Sequence, residues 1–488
     1  MASTDVAMDK GETTIIQFQS AEGEKAGPSL DIPLSSTPEQ LTSLLNELLE
    51  NDEPLPYAFF LSDSREEVTK SLKLAMKSVS VGKEKILSIT FQPQSLFRVR
   101  SVTRCTSSLP GHEEAILTSA FSPDSKSLAT GSGDTTVRCW NPESQLPDKT
   151  LRGHKQWVLA ICFSPDALRL ATASMDGSVR VWDPTLGEII GKPLLGHKKW
   201  VTSLFWQPYH LSTKCTHLVS ASKDNTLRIW NTAASTCYKV LAGHSAAVTC
   251  VRWSGENVIY SASQDRTIKV WDPQTGLVVR NISAHGHWIN TMTLNTDYVL
   301  GCGAFPMLDE ATGYIAKKLD AVVASRRYED VKRKMVGGKE RLITGSDDFT
   351  LIMWEDLANN LSKHAKPVTR MTGHQQLVND VRYSPDGVYI ASASFDKSVR
   401  LWDGASGKFL FTFRGHVGAV YRIVWSADAR LLLSASKDST CKVWEMRTRK
   451  LKSDLPGHSD EVYTVDWSID GKRAVSAGKD KVVKIWHH

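Results

Sequence analysis

Histidine, aspartate and hydroxyl side chains recur in this sequence at spacings that could support proton transfer. Glycine-histidine pairs place histidines at His112, His154, His197, His244, His374, His416 and His458, and Ala284-His285 fills the one gap in the series. An aspartate stands six residues before a tryptophan in each unit: Asp134/Trp140, Asp176/Trp182, Asp224/Trp230, Asp265/Trp271, Asp348/Trp354, Asp396/Trp402, Asp438/Trp444 and Asp480/Trp486. Serine, histidine and aspartate together have the composition of a nucleophilic triad, in which His takes the hydroxyl proton and Asp orients the imidazole. Eight copies at fixed intervals argue for a scaffold instead. A buried Asp carboxylate tolerates burial only with donors around it, and the repeated set supplies them. Outside the repeats there is no phosphate loop, no metal-ligand cluster and no nucleophile–base set. The expectation is a protein that binds rather than catalyses, with no catalytic residues and no cofactor of its own.

The elements that must position these residues are short antiparallel strands. Nine residues after each repeat histidine comes a large apolar residue: Phe121, Phe163, Trp206, Trp253, Leu294, Tyr383, Trp425 and Trp467. Segments such as SVRVW, TLRIW, TIKVW and SVRLW alternate polar and apolar residues, and SPDS, SPDA, SPDG and SIDG supply tight turns between them. Units of about 42 residues with Gly-His near the start and Trp-Asp at the end match a propeller blade. From roughly Arg98 to His488 the chain resembles the WD-repeat family. In that family the repeated His, Ser/Thr, Trp and Asp form a hydrogen-bonded set inside each blade. The resemblance thus gives a structural role to His112, Asp134, Trp140, His154, Asp176, Trp182, His374, Asp396, Trp402, His416, Asp438, Trp444, His458, Asp480 and Trp486. The last unit ends at Trp486 with two histidines to follow, so its outermost strand must come from elsewhere. Phe97–Cys105 is expected to supply it, tying the ends together and removing an open edge. The reading is mainly β: an eight-bladed WD-repeat propeller, or seven blades should blade five prove degenerate.

Two departures from the repeat stand out. The repeat accounts for twelve of the fifteen tryptophans; the others, Trp157, Trp200 and Trp288, each sit three residues after a repeat histidine. Other blades place Ala115, Ala247, Leu377, Ala419 and Glu461 there. Exposed indoles beside Lys155, Lys198 and Lys199 would serve as partner-binding anchors, whereas indoles folded over a neighbouring blade would be structural. The second departure is an insertion at about 300–341 in blade five, in its first hairpin, on the face opposite the tryptophan loops. Its stretch KKLDAVVASRRYEDVKRKMVGGKER carries nine Lys/Arg against four Asp/Glu and reads as a basic helix with flexible ends. It would suit RNA phosphates or an acidic protein, or simply be solvated.

Ahead of the propeller the pattern changes. Residues 1–12 look disordered, and 13–97 read as a small β-grasp, ubiquitin-like domain. TIIQFQ and SLDIPL are strand-like. Thr37 caps a helix with Pro38 at its first position and leucines 41, 44, 45, 48 and 49 on one face. PYAFFL is a strand, a weaker helix covers about Glu66 to Val79, and KILSITFQP closes as a strand. The net charge of +6 is too mild to announce a nucleic-acid binder. No run of about 18 apolar residues spans a membrane, and the N-terminus has no signal-peptide pattern. Eight scattered cysteines without a C-x-x-C fit a reduced intracellular compartment.

A ubiquitin-like domain joined to an eight-bladed WD propeller resembles the Notchless family of large-ribosomal-subunit assembly factors. The matching segments are PLPYAFFLS, ITFQPQSLFRVRSVTR, GSDDFTLIMW, TRMTGHQ, SASFDKSVRLWDG and LPGHSDEVYTVDWSIDGKR. The resemblance implies a nuclear and nucleolar, monomeric adaptor in ribosome biogenesis whose propeller sits on the pre-ribosomal particle, on ribosomal RNA and protein. It implies that the metal-ion-dependent adhesion site of the midasin ATPase grips the ubiquitin-like domain. One acidic side chain would complete a magnesium site shared with that partner, allowing ATP-driven remodelling or release. Glu84 occupies the matching position, flanked by Lys83 and Lys85, with Glu66 and Glu67 as rival carboxylates; a hard divalent cation requires such an oxygen ligand. The resemblance also carries a link to Notch signalling, with the Notch receptor as a partner. The competing reading is a signalling or ubiquitin-pathway adaptor whose tryptophan face grips a degron or receptor tail.

Overall fold

The computed structural model describes residues 13–20, 25–49, 57–61, 68, 72, 87–93, 99–283, 285–305, 318–335, 338–358 and 367–487. Residues 1–12, Glu84, its two lysine neighbours, Glu66, Glu67, and all of the expected weak helix except Val68 and Leu72 lie outside them. Two compact units divide the chain at Phe97/Arg98.

In the N-terminal unit, alternating apolar residues build strands β1 (Thr13–Gln19), β2 (Lys25–Pro33), β3 (Tyr57–Leu61) and β4 (Leu87–Pro93). The sheet order is β2-β1-β4-β3, with β1 and β4 parallel at its centre and the other pairings antiparallel. Helix α1 (Pro38–Leu48) follows β2, giving the β-grasp arrangement. Pro38 starts the helix, where its missing N–H costs nothing, and the Gln40 side chain accepts the Thr37 backbone N–H at 3.0 Å. Leu41 and Leu45 are fully buried against Ile16, Phe18, Phe59 and Ile89. Leu49 departs from expectation: it is the C-cap residue and is exposed, because the last helical turn ends before it.

In the second unit the described strands form eight four-stranded antiparallel blades, so blade five is complete despite its insertion. Blade one contains Ile116–Phe121, Leu128–Ser132, Val137–Asn141 and Leu146–Leu151 from the axis outward. The apolar core lies between blades rather than within any one. Ala129, Val137 and Leu151 of blade one, for example, pack against Val158, Leu170 and Trp182 of blade two. A blade therefore cannot bury its faces alone, and the ring must close.

Closure uses Arg104–Pro110, paired antiparallel with Val482–His487 from Arg104↔His487 to Pro110↔Val482. This corrects the expected Phe97–Cys105, which overlaps the closing strand only at its end. Residues Val99 to Thr103 form a strap instead. The Val99 amide donates to Asp428 Oδ2 at 2.8 Å, Ser101 meets Ser453 at 2.9 Å, and Val99 and Val102 are buried. The strap thus packs beneath blade seven instead of pairing with blade eight.

The insertion starts earlier than about 300, directly after the first strand of blade five (Ile289–Leu294). Helix α2 (Asp297–Cys302) crosses the axial channel, and beyond it the Ala304 amide donates to the Pro165 carbonyl of blade two at 2.9 Å. Helix α3 (Ala321–Lys334) returns under blades three and four. Tyr328 stacks on His210 at 4.5 Å and lies so close to Gly255 that any Cβ there would enter its ring. Of the expected basic helix, Arg327 donates to the Phe305 carbonyl, and Lys332 pairs with Glu256 at 2.6 Å. Arg333 pairs with Asp330 at 3.3 Å. Much of its positive charge is thus committed to the fold.

Where the insertion rejoins blade five, Glu340 is buried and accepts hydrogen bonds from Ser254 and, at 2.8 Å, Thr296. Burial pushes its carboxyl up to about 7, with Glu256 and Asp297 adding to the rise against those hydroxyl bonds. The folded state then holds this proton above the unfolded side chain's ordinary value of 4.5. Stability contributed by the site is largest at acidic pH and falls as pH rises towards about 7, by about 3 kcal/mol. Glu340→Gln is expected to flatten this dependence. Denaturant unfolding at about pH 5 and about pH 8 checks it, and an unchanged slope would refute the assignment.

Candidate functional site

Each blade contains one chain of hydrogen bonds, and all eight are complete. Histidine Nδ1 lies 2.7–3.3 Å from the repeat Asp carboxylate. Histidine Nε2 lies 2.7–2.9 Å from the hydroxyl of Thr130, Thr172, Ser220, Ser261, Thr344, Ser392, Ser434 or Ser476. The blade-end tryptophan donates its indole N–H to the same hydroxyl at 2.7–3.2 Å. The carboxylate favours the Nδ1–H tautomer, so the hydroxyl donates to Nε2 while accepting from the indole. These hydroxyls are fully buried, so no substrate reaches them as nucleophiles. Burial alone would raise the Asp carboxyls, but hydrogen bonds from His, hydroxyl and backbone outweigh it and hold them well below the ordinary range.

The residue after each repeat Asp, such as Thr135, Asn225, Phe349 or Lys397, is left-handed. The Asp accepts the amide of the following residue, 2.9 Å for Asp134 and Thr136, which offsets the strain of that turn. The glycine before the histidine has a different reason. A Cβ at Gly111, Gly153, Gly196 or Gly373 would lie 2.7 Å or closer to the guanidinium of Arg138, Arg180, Arg228 or Arg400. Blade five alone carries alanine in this dipeptide, Ala284, and it alone has an apolar residue, Ile352, at the arginine or lysine position.

These sets fix the loops that present the outer tryptophans. The carbonyls of Trp157, Trp200 and Trp288 accept the amides of Met175, Lys223 and Asp347 at 2.8–2.9 Å, so each loop is locked to a turn of its own blade. The indoles remain 52%, 40% and 46% exposed. Trp157 lies beside Gly133 of blade one, where a Cβ would stand 3.5 Å from the indole nitrogen, but half of its surface stays open. Lys155, Lys198 and Lys199 are exposed on the same loops. The cation over an indole is one that sequence reasoning missed: Lys223 Nζ stands 4.3 Å from the Trp200 ring centroid. It occupies the turn of blade three, and its proximity depends on strand pairing rather than sequence distance. His287 adds a ring 5.3 Å from Trp288. The structure therefore places three indoles and a set of cations on one face, suited to aromatic and cation–π contacts with a macromolecule. Across the ring, Phe395, Tyr421 and Tyr463 form a second aromatic row, with successive centroids 5.7 and 5.5 Å apart.

Among the described residues no group of three or more His, Cys, Asp or Glu side chains could hold a metal ion. No described helix is long and apolar enough to cross a membrane.

Comparison with known proteins gives matches in both units. Residues 14–76 match the NLE (NUC135) domain, and residues 103–141, 365–403, 407–445 and 449–487 match the WD domain, G-beta repeat. Residues 157–302 match the fourth β-propeller of WDR90. Protein Notchless of Drosophila melanogaster is 48% identical over 79% of this chain and 78% of its own length. The Notchless protein homolog of Arabidopsis thaliana is 50% identical over 83% of each chain. Ribosome assembly protein 4 of Saccharomyces cerevisiae is 45% identical over 82% of this chain and 79% of its own. The two-unit architecture and these similarities together show that the chain belongs to the Notchless family of WD-repeat proteins.

Proposed function

We propose that this protein is a non-enzymatic adaptor in large-ribosomal-subunit assembly, acting in the nucleus and nucleolus. The observation that carries this reading is the union of an NLE match and a complete propeller in a chain 45% identical to Ribosome assembly protein 4. The propeller docks on the pre-ribosomal particle, with Trp157, Trp200 and Trp288 as aromatic anchors and Lys155, Lys198 and Lys199 meeting phosphate or acidic groups. Trapped between a fixed scaffold and a pulled domain, such an adaptor transmits force. The N-terminal unit is the handle: the adhesion site of midasin grips it, and the Glu84 carboxylate completes the coordination of that partner's magnesium. A carboxylate oxygen is the ligand a hard cation prefers, and shortening or removing it displaces that oxygen.

The test measures binding of the full chain to the midasin adhesion-site domain with magnesium, alongside sedimentation with large-subunit precursors. Glu84→Ala and Glu84→Asp are expected to lower metal-dependent binding by about a hundredfold or more, since disturbing even a group that supports a metal ligand costs about 10–100-fold, while leaving sedimentation intact. Replacing all three exposed tryptophans by alanine is expected to do the reverse. Midasin binding that ignores both the substitutions and a chelator would sink the handle. A chain that never follows large-subunit precursors would favour a signalling adaptor, with the Notch receptor as the partner to examine.

A further inference from the structure

The inner strands of the eight blades enclose a chamber of about 480 Å3. Helix α2 forms its floor: Asp297 and Gly301 line both the chamber and an adjoining cavity of about 220 Å3, which Tyr298 and Cys302 line as well. Inner strands begin at the loops of the tryptophan face, and residues near their starts, such as Thr202, Asn290 and Tyr463, also line the chamber. The chamber is therefore blind, with its mouth on that face. Its wall is divided. Blades two and three contribute Leu159, Ile161 and Phe205, whereas Arg252, Arg382 and Arg422 come from blades four, six and seven.

Asp297, Asp380 and Asp466 balance those charges formally, and most of their hydrogen bonds go to the fold, although Asp297 Oδ1 is buried without a partner. Asp297 Oδ2 accepts the Leu294 amide at 3.0 Å, Asp380 accepts the amides of Val381 and Ile423 at 3.0 and 3.2 Å, and Asp466 accepts that of Phe121 at 2.7 Å. The guanidiniums are far from saturated. Each carries five N–H donors. Arg422 donates to Thr464 at 3.3 Å, and Arg252 donates to Asp297 and to the Val251 carbonyl at 3.1 and 2.9 Å. Arg382 makes only an ion contact with Asp380, at 3.6 Å. Burial lowers the affinity of Arg422 for its proton, and repulsion from Arg382 and Arg252 adds to this against the attraction of Asp380 and Asp466. An anion seated among them would relieve that repulsion. Convergent guanidiniums suit a phosphate, which offers three acceptor oxygens, better than a carboxylate, which offers two.

We propose that this chamber is a binding site for a small phosphorylated organic molecule. Its phosphate meets Arg252, Arg382 and Arg422, and its uncharged part lies on Leu159, Ile161 and Phe205. The volume falls in the range of small-molecule sites, roughly 300–1,000 Å3. Its lining includes none of the three exposed tryptophans, although its mouth opens on their face.

Calorimetric titration of the full chain with adenosine diphosphate, inositol hexakisphosphate and pyrophosphate tests this, with glutamate and a short acidic peptide as carboxylate controls. Saturable one-to-one binding of at least one phosphate compound is expected, with a raised melting temperature. Arg382→Gln should weaken it about tenfold, the loss of one charge-assisted contact. Arg382 is the informative position because its side chain is partly exposed and lightly bonded, so the variant keeps its fold even where Arg422→Gln fails to. Leu159→Trp, which narrows the chamber without adding charge, should weaken binding by a similar factor. No saturable binding to any phosphate probe would overturn the proposal. So would binding unaffected by both Arg382→Gln and Leu159→Trp, which is adsorption to the outer surface. Equal affinity for the carboxylate controls would overturn the phosphate assignment.

Discussion

Replacing Asp396 by alanine is expected to destabilise the propeller by about 3 kcal/mol, the scale of leaving several buried donors without an acceptor. Its carboxylate accepts from His374 Nδ1 at 2.7 Å, from the amides of Gln375 and Ser398 at 3.0 Å each, and from the Ser398 hydroxyl at 2.6 Å. Alanine removes every one of these acceptors while His374 and Ser392 stay buried. An asparagine side chain would keep one acceptor oxygen but lose the charge, so Asp396→Asn should cost about half as much. Denaturant midpoints of the two variants check both magnitudes, and wild-type stability in Asp396→Ala would show that the set contributes nothing. The acid limb gives a second reading. Burial opposes ionisation of Asp396, but the His374 and Ser398 bonds depress its carboxyl below the ordinary 3.8. Its contribution is therefore present at neutral pH and is lost as pH falls below about 4 towards the depressed folded value. Asp396→Ala should lose stability less steeply over that acid range than the parent.

A larger effect is expected at the ring closure. A chain beginning at Gly111 lacks the strand Arg104–Pro110, leaving the edge of Val482–His487 unpaired. It also removes Leu109 from a cluster in which Val475, Val483 and Ile485 of blade eight meet Ile116, Phe121 and Trp140 of blade one. An open apolar edge invites pairing with another chain, so this truncation should lose cooperative unfolding and self-associate. A chain beginning at Arg98 retains the closing strand and should remain monomeric with a single transition. Leu109→Ala, which keeps the backbone ladder, should cost only about 2 kcal/mol. Light scattering and thermal unfolding of the three chains separate these outcomes. Equal behaviour of the two truncations would mean that closure adds no stability.

The difference between legible and illegible features follows from their range. The eight His–Asp–Trp registers, and with them the blade count, could be read directly because Asp and Trp stand six apart in every unit and His precedes Asp by 21–27 residues in all but blade five, where the insertion makes it 63. The β-grasp core followed from equally local periods, the strand alternation of Phe59 and Leu61 and the helical spacing of Leu41 and Leu45. Other features depended on pairings that no local pattern encodes. Phe97–Cys105 offered apolar residues for a strand, yet the closing strand begins at Arg104, because its register is set against a segment nearly four hundred residues away. The insertion in blade five was legible as extra length, but only the ring places Asp297–Cys302 across the channel, with Ala304 bonded to Pro165, and gives the chamber its floor. Lys223 reaches Trp200 because hairpins bring a turn to a loop. Arg252 and Arg382 share one strand position and Arg422 stands two residues earlier in its own strand, and circular closure alone brings the three blades' arginines to one chamber. Sequence by itself determined the repeating unit and its buried hydrogen-bonded sets, since short-range spacing and burial suffice for those. Tertiary structure decided the seam, the plug and the chamber, since these arise from contacts between units whose meeting is fixed only when the ring closes.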